Sequence, residues 1–228
     1  EALELLSRNV AGAAAFDPAA ARRTFTIASA DYGAFVLSPR LLEVFSREAP
    51  GVDLWVRTFG GDPFEALALG DVDAAVGPLP AGRALASVHA KVLFEERFVC
   101  LVRRDHPRVR KRLDLDTWAE LPHAFVAPRG TPGGVVDEVL ASHGRARRVA
   151  FASPHFLLAP HVVASSDLVL TVGERVARAF AAILPVRVVE APVPIPSFTM
   201  QLAWHERQHH DPAQQWFRQK VLETSRRE

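Results

Sequence analysis

Short apolar runs alternate with helically spaced segments along almost the whole chain, and that alternation limits the fold more than any single motif. Phe25 to Ala30 is an apolar run suited to a buried strand. Leu37, Leu41, Leu42 and Phe45 then recur at helical spacing until Ala49-Pro50-Gly51 stops them. Ala30 to Gly33, between the two, reads as a loop. Val52 to Phe59 alternates apolar and polar residues as a second strand. Asp62-Pro63-Phe64-Glu65 is a helix start: a capping acceptor, a proline at the first helical position and a carboxylate able to return a bond to the cap. Gly70 ends that helix, and Val72 to Val76 is a third strand. Repeated β-α-β order predicts a parallel sheet covered by helices.

The pattern resumes after His106-Pro107. Helices are expected over Thr117–Leu121, Gly134–His143, Phe156–Ala164 and Glu174–Ala182, and strands over Ala124–Ala127, Arg148–Phe151, Leu168–Val172 and Val186–Glu190. Val92 to Val102 reads as a longer extended run, interrupted only by Glu95, Glu96 and Arg97, and Phe198 to Trp204 as a strand. Asp211-Pro212-Ala213-Gln214 then starts a closing helix whose Trp216, Phe217 and Val221 offer a buried face. The fold class is therefore α/β, with two lobes whose sheets meet where the runs near Phe94 to Leu101 and Phe198 to Ala203 cross. A cleft between such lobes is the expected binding place, because ligands favour the carboxyl ends of parallel strands and domain interfaces.

Composition excludes several functions. The 228 residues carry a net charge of +1, with Lys91, Lys111 and Lys220 the only lysines, so no general positive footprint for a phosphate backbone exists. Any action on DNA needs another segment. Cys100 is the only cysteine, which rules out an internal disulfide and suits a reducing, cytoplasmic compartment. No run approaches the ~20 apolar residues needed to span a bilayer. Glu1 to Ala15 lacks the basic start and apolar run of a signal peptide, and reads as the end of a helix broken at Phe16-Asp17-Pro18.

His205-Glu206-Arg207-Gln208-His209 fits the His-Glu-x-x-His spacing of zinc proteases. That chemistry needs both histidines on one helical face, and here a strand ends before the motif and a helix starts after it. No nucleophile elbow, phosphate loop or dinucleotide fingerprint is present. Cys100 lies in an apolar strand run, where cysteine is a small hydrophobe. No catalytic residue, metal or cofactor is expected.

An ordered series of motifs resembles the effector-binding domain of LysR-type transcriptional regulators. It comprises Phe16-Asp17-Pro18, Arg22-Arg23-Thr24-Phe25, Ser29-Ala30-Asp31-Tyr32, Ala49-Pro50-Gly51-Val52, Leu69-Gly70-Asp71-Val72-Asp73 and Arg104-Asp105-His106-Pro107. It continues with Pro154-His155-Phe156, Ser166-Asp167-Leu168-Val169 and Trp204-His205-Glu206-Arg207 before Asp211-Pro212-Ala213 and Trp216. The closing pattern is similar to the branch of nodulation activators and regulators of aromatic-compound degradation. The resemblance implies two Rossmann-like lobes joined by two crossover strands, of the periplasmic-binding-protein type 2 kind. Residues 16–96 and 200–228 would form lobe I, 97–199 lobe II, and 1–15 the end of a linker helix. It further implies a small aromatic or phenolic effector between the lobes, self-association as a dimer and, in the full-length protein, a tetramer. DNA would be held by a winged helix-turn-helix that is absent from this chain, and no membrane is involved.

Two loops are candidates for effector contact, because such loops turn backbone N–H groups and the positive end of a helix toward a ligand. One is Ala30-Asp31-Tyr32-Gly33 and the other Arg129-Gly130-Thr131 with Pro132-Gly133. Asp31 and Thr131 can instead cap helices, and Arg129 can be a solvated surface residue or pair with a carboxylate. The resemblance places His155 near the effector, against the simpler reading of a packed interdomain histidine. Phe35, Phe98, Phe156, Val172 and Met200 supply apolar walls or core. The alternative function is a solute-binding protein for transport of a small organic anion, which needs an export signal or lipid-anchor cysteine. A two-lobed enzyme would need a convergent acid, base or nucleophile set, and none is found.

Overall fold

The structure is a computed structural model that describes residues 16–59, 61–78, 87–128, 130 and 133–226. The expected helix over Glu1 to Ala15 lies outside them. The element order is β1 (Arg23–Ser29), α1 (Asp31–Glu48), β2 (Val52–Arg57), α2 (Pro63–Leu69), β3 (Ala74–Gly77), β4 (Val88–Glu96) and β5 (Phe98–Arg103). There follow α3 (Leu115–Glu120), β6 (Pro122–Val126), α4 (Val135–Ser142), β7 (Arg148–Ser153), α5 (Ala159–Ala164), β8 (Val169–Gly173) and α6 (Glu174–Ile183). The chain ends with β9 (Val186–Val189), β10 (Phe198–His205), a 3-10 turn (Glu206–Gln208) and α7 (Pro212–Ser225).

Two compact units result, one of Glu1–Ser29, Gly33–Phe94 and Met200–Glu228 and the other of Ala30–Tyr32 and Glu95–Thr199. The first holds a five-stranded sheet in the order β2-β1-β3-β10-β4. β1 pairs in parallel with β2 and β3, as crossover helices require, and β10 joins β3 antiparallel with Leu202 opposite Val76. Phe25 is fully buried and lies flat on Phe217 of α7, ring centroids 4.3 Å apart, with Phe45 of α1 against the same pair. The closing helix is thus held by its expected apolar face. Its start is also as read: Asp211 accepts from the Gln214 N–H at 2.9 Å. Asp62 likewise accepts from the Phe64 N–H at 3.0 Å, and left-handed Gly70 closes α2.

The second unit holds a mixed sheet in the order β7-β6-β8-β5-β9. β6 runs parallel to β7 and β8, while β5 is antiparallel to β8 and β9. Its core gathers Cys100, Trp118, Leu140 and Val169, all fully buried. His123 is fully buried beside Trp118 and donates from Nε2 to the Trp118 carbonyl at 2.8 Å. Desolvation, with the Arg147 cation beside the ring, pulls its imidazole down to about 4, so it packs neutral.

Two sequence expectations are corrected, the starts of α1 and α5. The interrupted run from Val92 to Val102 is two strands, one in each sheet. Arg97 is the break: its carbonyl accepts from the Glu174 N–H, and its guanidinium binds the carboxylates of Glu174 at 2.5 Å and Glu190 at 2.7 Å. α1 begins at Asp31, so Asp31 to Gly33 is a first helical turn rather than a loop. α5 begins at Ala159, because Phe156 to Leu158 form a turn instead of the helix start that Phe156 suggested.

Candidate functional site

In the second unit Asp31 ties the start of α1 to the segment before α5. Its carboxylate oxygens accept from the N–H groups of Phe156 at 3.1 Å and Leu157 at 3.0 Å. It therefore caps a turn more than a hundred residues away in sequence rather than its own helix. The adjacent Tyr32 is only 3% exposed, its ring edge-on to Phe156 at 5.5 Å and to Phe198 at 5.9 Å, with Phe98 a further 5.0 Å from Phe198.

The Tyr32 hydroxyl donates to the buried Glu96 carboxylate at 2.5 Å, and Arg175 donates to the same oxygen at 2.7 Å. Burial first, then the Glu96 carboxylate, pushes the phenol well above its ordinary range, so Tyr32 is a permanent donor here. Gly173 packs tightly under this cluster. A methyl there would meet the Tyr32 ring at 3.0 Å and Glu96 Cγ at 3.1 Å. The buried carboxylate is thus neutralised by one cation and held by one phenol, the arrangement that makes burying a charge tolerable. Among the described residues the Tyr32 hydroxyl and both Glu96 oxygens are already engaged, the second oxygen by the Arg175 N–H at 3.3 Å.

In the first unit, β1 ends at Ser29, and the hydroxyl of this 1% exposed residue has no hydrogen-bond partner among the described residues. It faces Gly33 in the first turn of α1, where a methyl would lie 2.3 Å from the Ser29 oxygen, 3.2 Å from Val76 and 3.3 Å from Met200. A buried hydroxyl without a partner costs about 1–3 kcal/mol, so Ser29 is a position where an added hydrogen-bonding group would be stabilising. It stands at the carboxyl end of a parallel strand beside the N-terminus of an 18-residue helix, where a polar ligand group is favoured. Sequence reasoning missed Ser29. The signal available was a small polar residue closing an apolar strand four positions before a glycine.

The other expected site residues distribute as follows. Ala30 lies beside Asp31 in the second unit, and Val172 is buried on β8 opposite Val99. His155 is exposed, its N–H donating to the Ser153 hydroxyl at 3.2 Å. Gly130 takes a left-handed conformation with φ 70° and bonds back to Ala127 at 2.8 Å, while Arg129 and Thr131 lie outside the described residues. Gly33, half-buried Phe35 and buried Met200 belong to the first unit. Cys100 is enclosed, its thiol pushed up to about 12 by burial, as a core residue requires. His205 is the last residue of β10 and His209 follows a 3-10 turn, so these two do not share a helical face.

Residues 18–226 match the family described as LysR substrate binding domain. The chain belongs to that family. Its LysR-type relatives include the transcriptional activators NahR of Pseudomonas putida, 34% identical, and NagR of a Ralstonia species, 32% identical. Both alignments cover 91% of this chain and 69% of the relative. Nodulation protein D 3 of Mesorhizobium japonicum is 30% identical over 93% of this chain and 70% of its own length. NahR and NagR are named as transcriptional activators, not as enzymes. Among solved structures, the LysR-like fold is shared with a probable transcriptional regulator from Pseudomonas aeruginosa at TM-score 0.80 and 35% identity, covering 96% of this chain and 72% of that one. The regulatory domain of MexT from the same organism gives 0.77 and 30% identity, covering 90% and 98% respectively. No helix among the described residues is long and apolar enough to cross a membrane.

Proposed function

We propose that this chain is the sensing domain of a LysR-type transcriptional regulator that binds a small aromatic or phenolic effector, performs no reaction on it, and acts in the cytoplasm. The observation that carries the reading is the match to transcriptional activators at 32–34% identity over 91% of the chain. The closing Trp204-His205-Glu206-Arg207 and Asp211-Pro212-Ala213 pattern supports the aromatic branch, and the orphaned Ser29 hydroxyl supports a polar group on the ligand. An effector that binds one arrangement of the regulator better than another shifts its population, which is how binding reaches DNA. DNA is held by a winged helix-turn-helix outside this sequence, in a self-associated dimer or tetramer.

The test is a thermal-shift screen of hydroxybenzoates, flavonoids and chlorinated aromatics, since a ligand of the folded state raises its melting temperature by mass action. A hit should weaken in Ser29→Ala, Thr131→Val and His155→Ala. Ser29→Ala without ligand should melt at the same temperature or higher, because it deletes an unsatisfied buried group. No hit from these classes would remove the aromatic reading, and a hit indifferent to Ser29→Ala would remove Ser29 from the site.

A further inference from the structure

The motif His205-Glu206-Arg207-Gln208-His209 fails as a helical zinc site, yet two of its residues meet a third from a distant strand. β4 and β10 are neighbours in the first sheet, and the Glu206 N–H donates to the Ser87 carbonyl at 2.7 Å, pinning the end of β10 to the start of β4. His89, two residues on from Ser87, is thereby fixed beside Glu206. The 3-10 turn does the rest. With three residues per turn, positions i and i+3 eclipse, so Glu206 and His209 share a side, and the His209 N–H closes the turn on the Glu206 carbonyl at 2.8 Å. His205 lies outside this group, its Nδ1 accepting from the Arg207 N–H at 3.2 Å.

Glu206 is hydrogen-bonded to His89 Nε2, the His89 and His209 rings stack at 4.1 Å, and one donor atom from each of the three side chains lies within 4.8 Å of the others. Trp204 underlies both rings at 5.5 and 6.0 Å. The side chains of His89 and Glu206 are 37% and 50% exposed, so an ion can reach them from solvent. We propose that His89, Glu206 and His209 form a binding site for one divalent transition-metal ion of the zinc, nickel or copper class, with water or a small anion completing its shell.

Two imidazoles and a carboxylate are the donors that such borderline ions select, whereas calcium and magnesium need more oxygens. Tetrahedral bonds of about 2.0–2.1 Å bring donors about 3.3 Å apart, so the hydrogen-bonded His89–Glu206 pair opens to admit the ion and His209, within 4.8 Å of both, turns onto it. His209 also lines a cavity of about 480 Å³ with Lys91, Arg218, Glu223 and Arg226, which gives the remaining ligand room. Glu206 is consumed as a ligand and leaves no general base, so the ion is a clamp joining β4, β10 and the turn. Its capture is coupled to Trp204, whose indole N–H donates to His209 Nδ1 at 3.1 Å. In the neutral ring that bond puts the proton on Nε2, so coordination must break the indole bond or shift the ring.

The experiment uses tag-free, chelator-stripped protein titrated with Zn²⁺ by calorimetry and with Cu²⁺ by tryptophan fluorescence. One Zn²⁺ per chain, a rise in melting temperature and strong Cu²⁺ quenching that largely disappears in Trp204→Phe are expected. Affinity should fall by about tenfold or more in Glu206→Gln and in either His89→Ala or His209→Gln, and stay unchanged in His205→Ala. Far-UV circular dichroism checks that each variant is folded, and the wild-type stoichiometry and Trp204→Phe readout stand without them. Absence of saturable uptake in the wild type would overturn the site, as would uptake that persists in the His89→Ala, His209→Gln double variant.

Discussion

His123 shows how burial turns a residue into a pH liability. Unfolded, its imidazole takes up a proton near pH 6.5; folded, it resists until about pH 4. Between those values the unfolded state binds more protons, so stability is complete above pH 6.5 and declines as pH falls toward 4, by up to about 3 kcal/mol. Urea midpoints measured from pH 7 to 4 should fall less steeply in His123→Gln than in the wild type, and parallel curves would refute the assignment. Nothing in the sequence announced this histidine, since a lone histidine after Leu121-Pro122 carries no periodic signal. Ser29 and Asp31 were legible to different extents. Asp31 was recognised as a cap or a contact, but its partners, Phe156 and Leu157, are chosen by tertiary folding that local spacing does not encode.

Among the elements, legibility follows the locality of the signal. The starts of α2 and α7 were read correctly because acceptor, proline and first N–H groups lie within four residues of one another. Asp211→Ala should therefore cost about 1 kcal/mol, by stranding the Gln214 N–H, while Asp211→Asn, which keeps an acceptor, should cost less. Denaturant midpoints decide it, and equal losses in both variants would point instead to the ion pair with Arg23. The start of α5 was misjudged for the opposite reason, its preceding turn being capped from Asp31. The break at Arg97 was visible only as an interruption of an apolar run. What made it a boundary is an ion network with Glu174 and Glu190, both more than seventy residues away.

At the scale of the whole molecule, the α/β class followed from alternating periodicities, because each strand-helix-strand unit declares itself locally. Strand order did not. β10 inserts between β3 and β4, and its Met200, Leu202, Ala203 and Trp204 are each at most 3% exposed. A chain ended at Ser197 should lose the first unit and keep the second, so limited proteolysis read by mass spectrometry should cut within residues 23–94 and spare 98–189. Uniform protection would contradict this. The same insertion sets an order on biosynthesis. The ribosome delivers every residue of the second unit by Thr199, whereas the first sheet stays split, two strand edges unpaired, until β10 has followed through the exit tunnel. The nascent chain thus completes the second unit before the first, and in that interval the open edges are where a chaperone would bind.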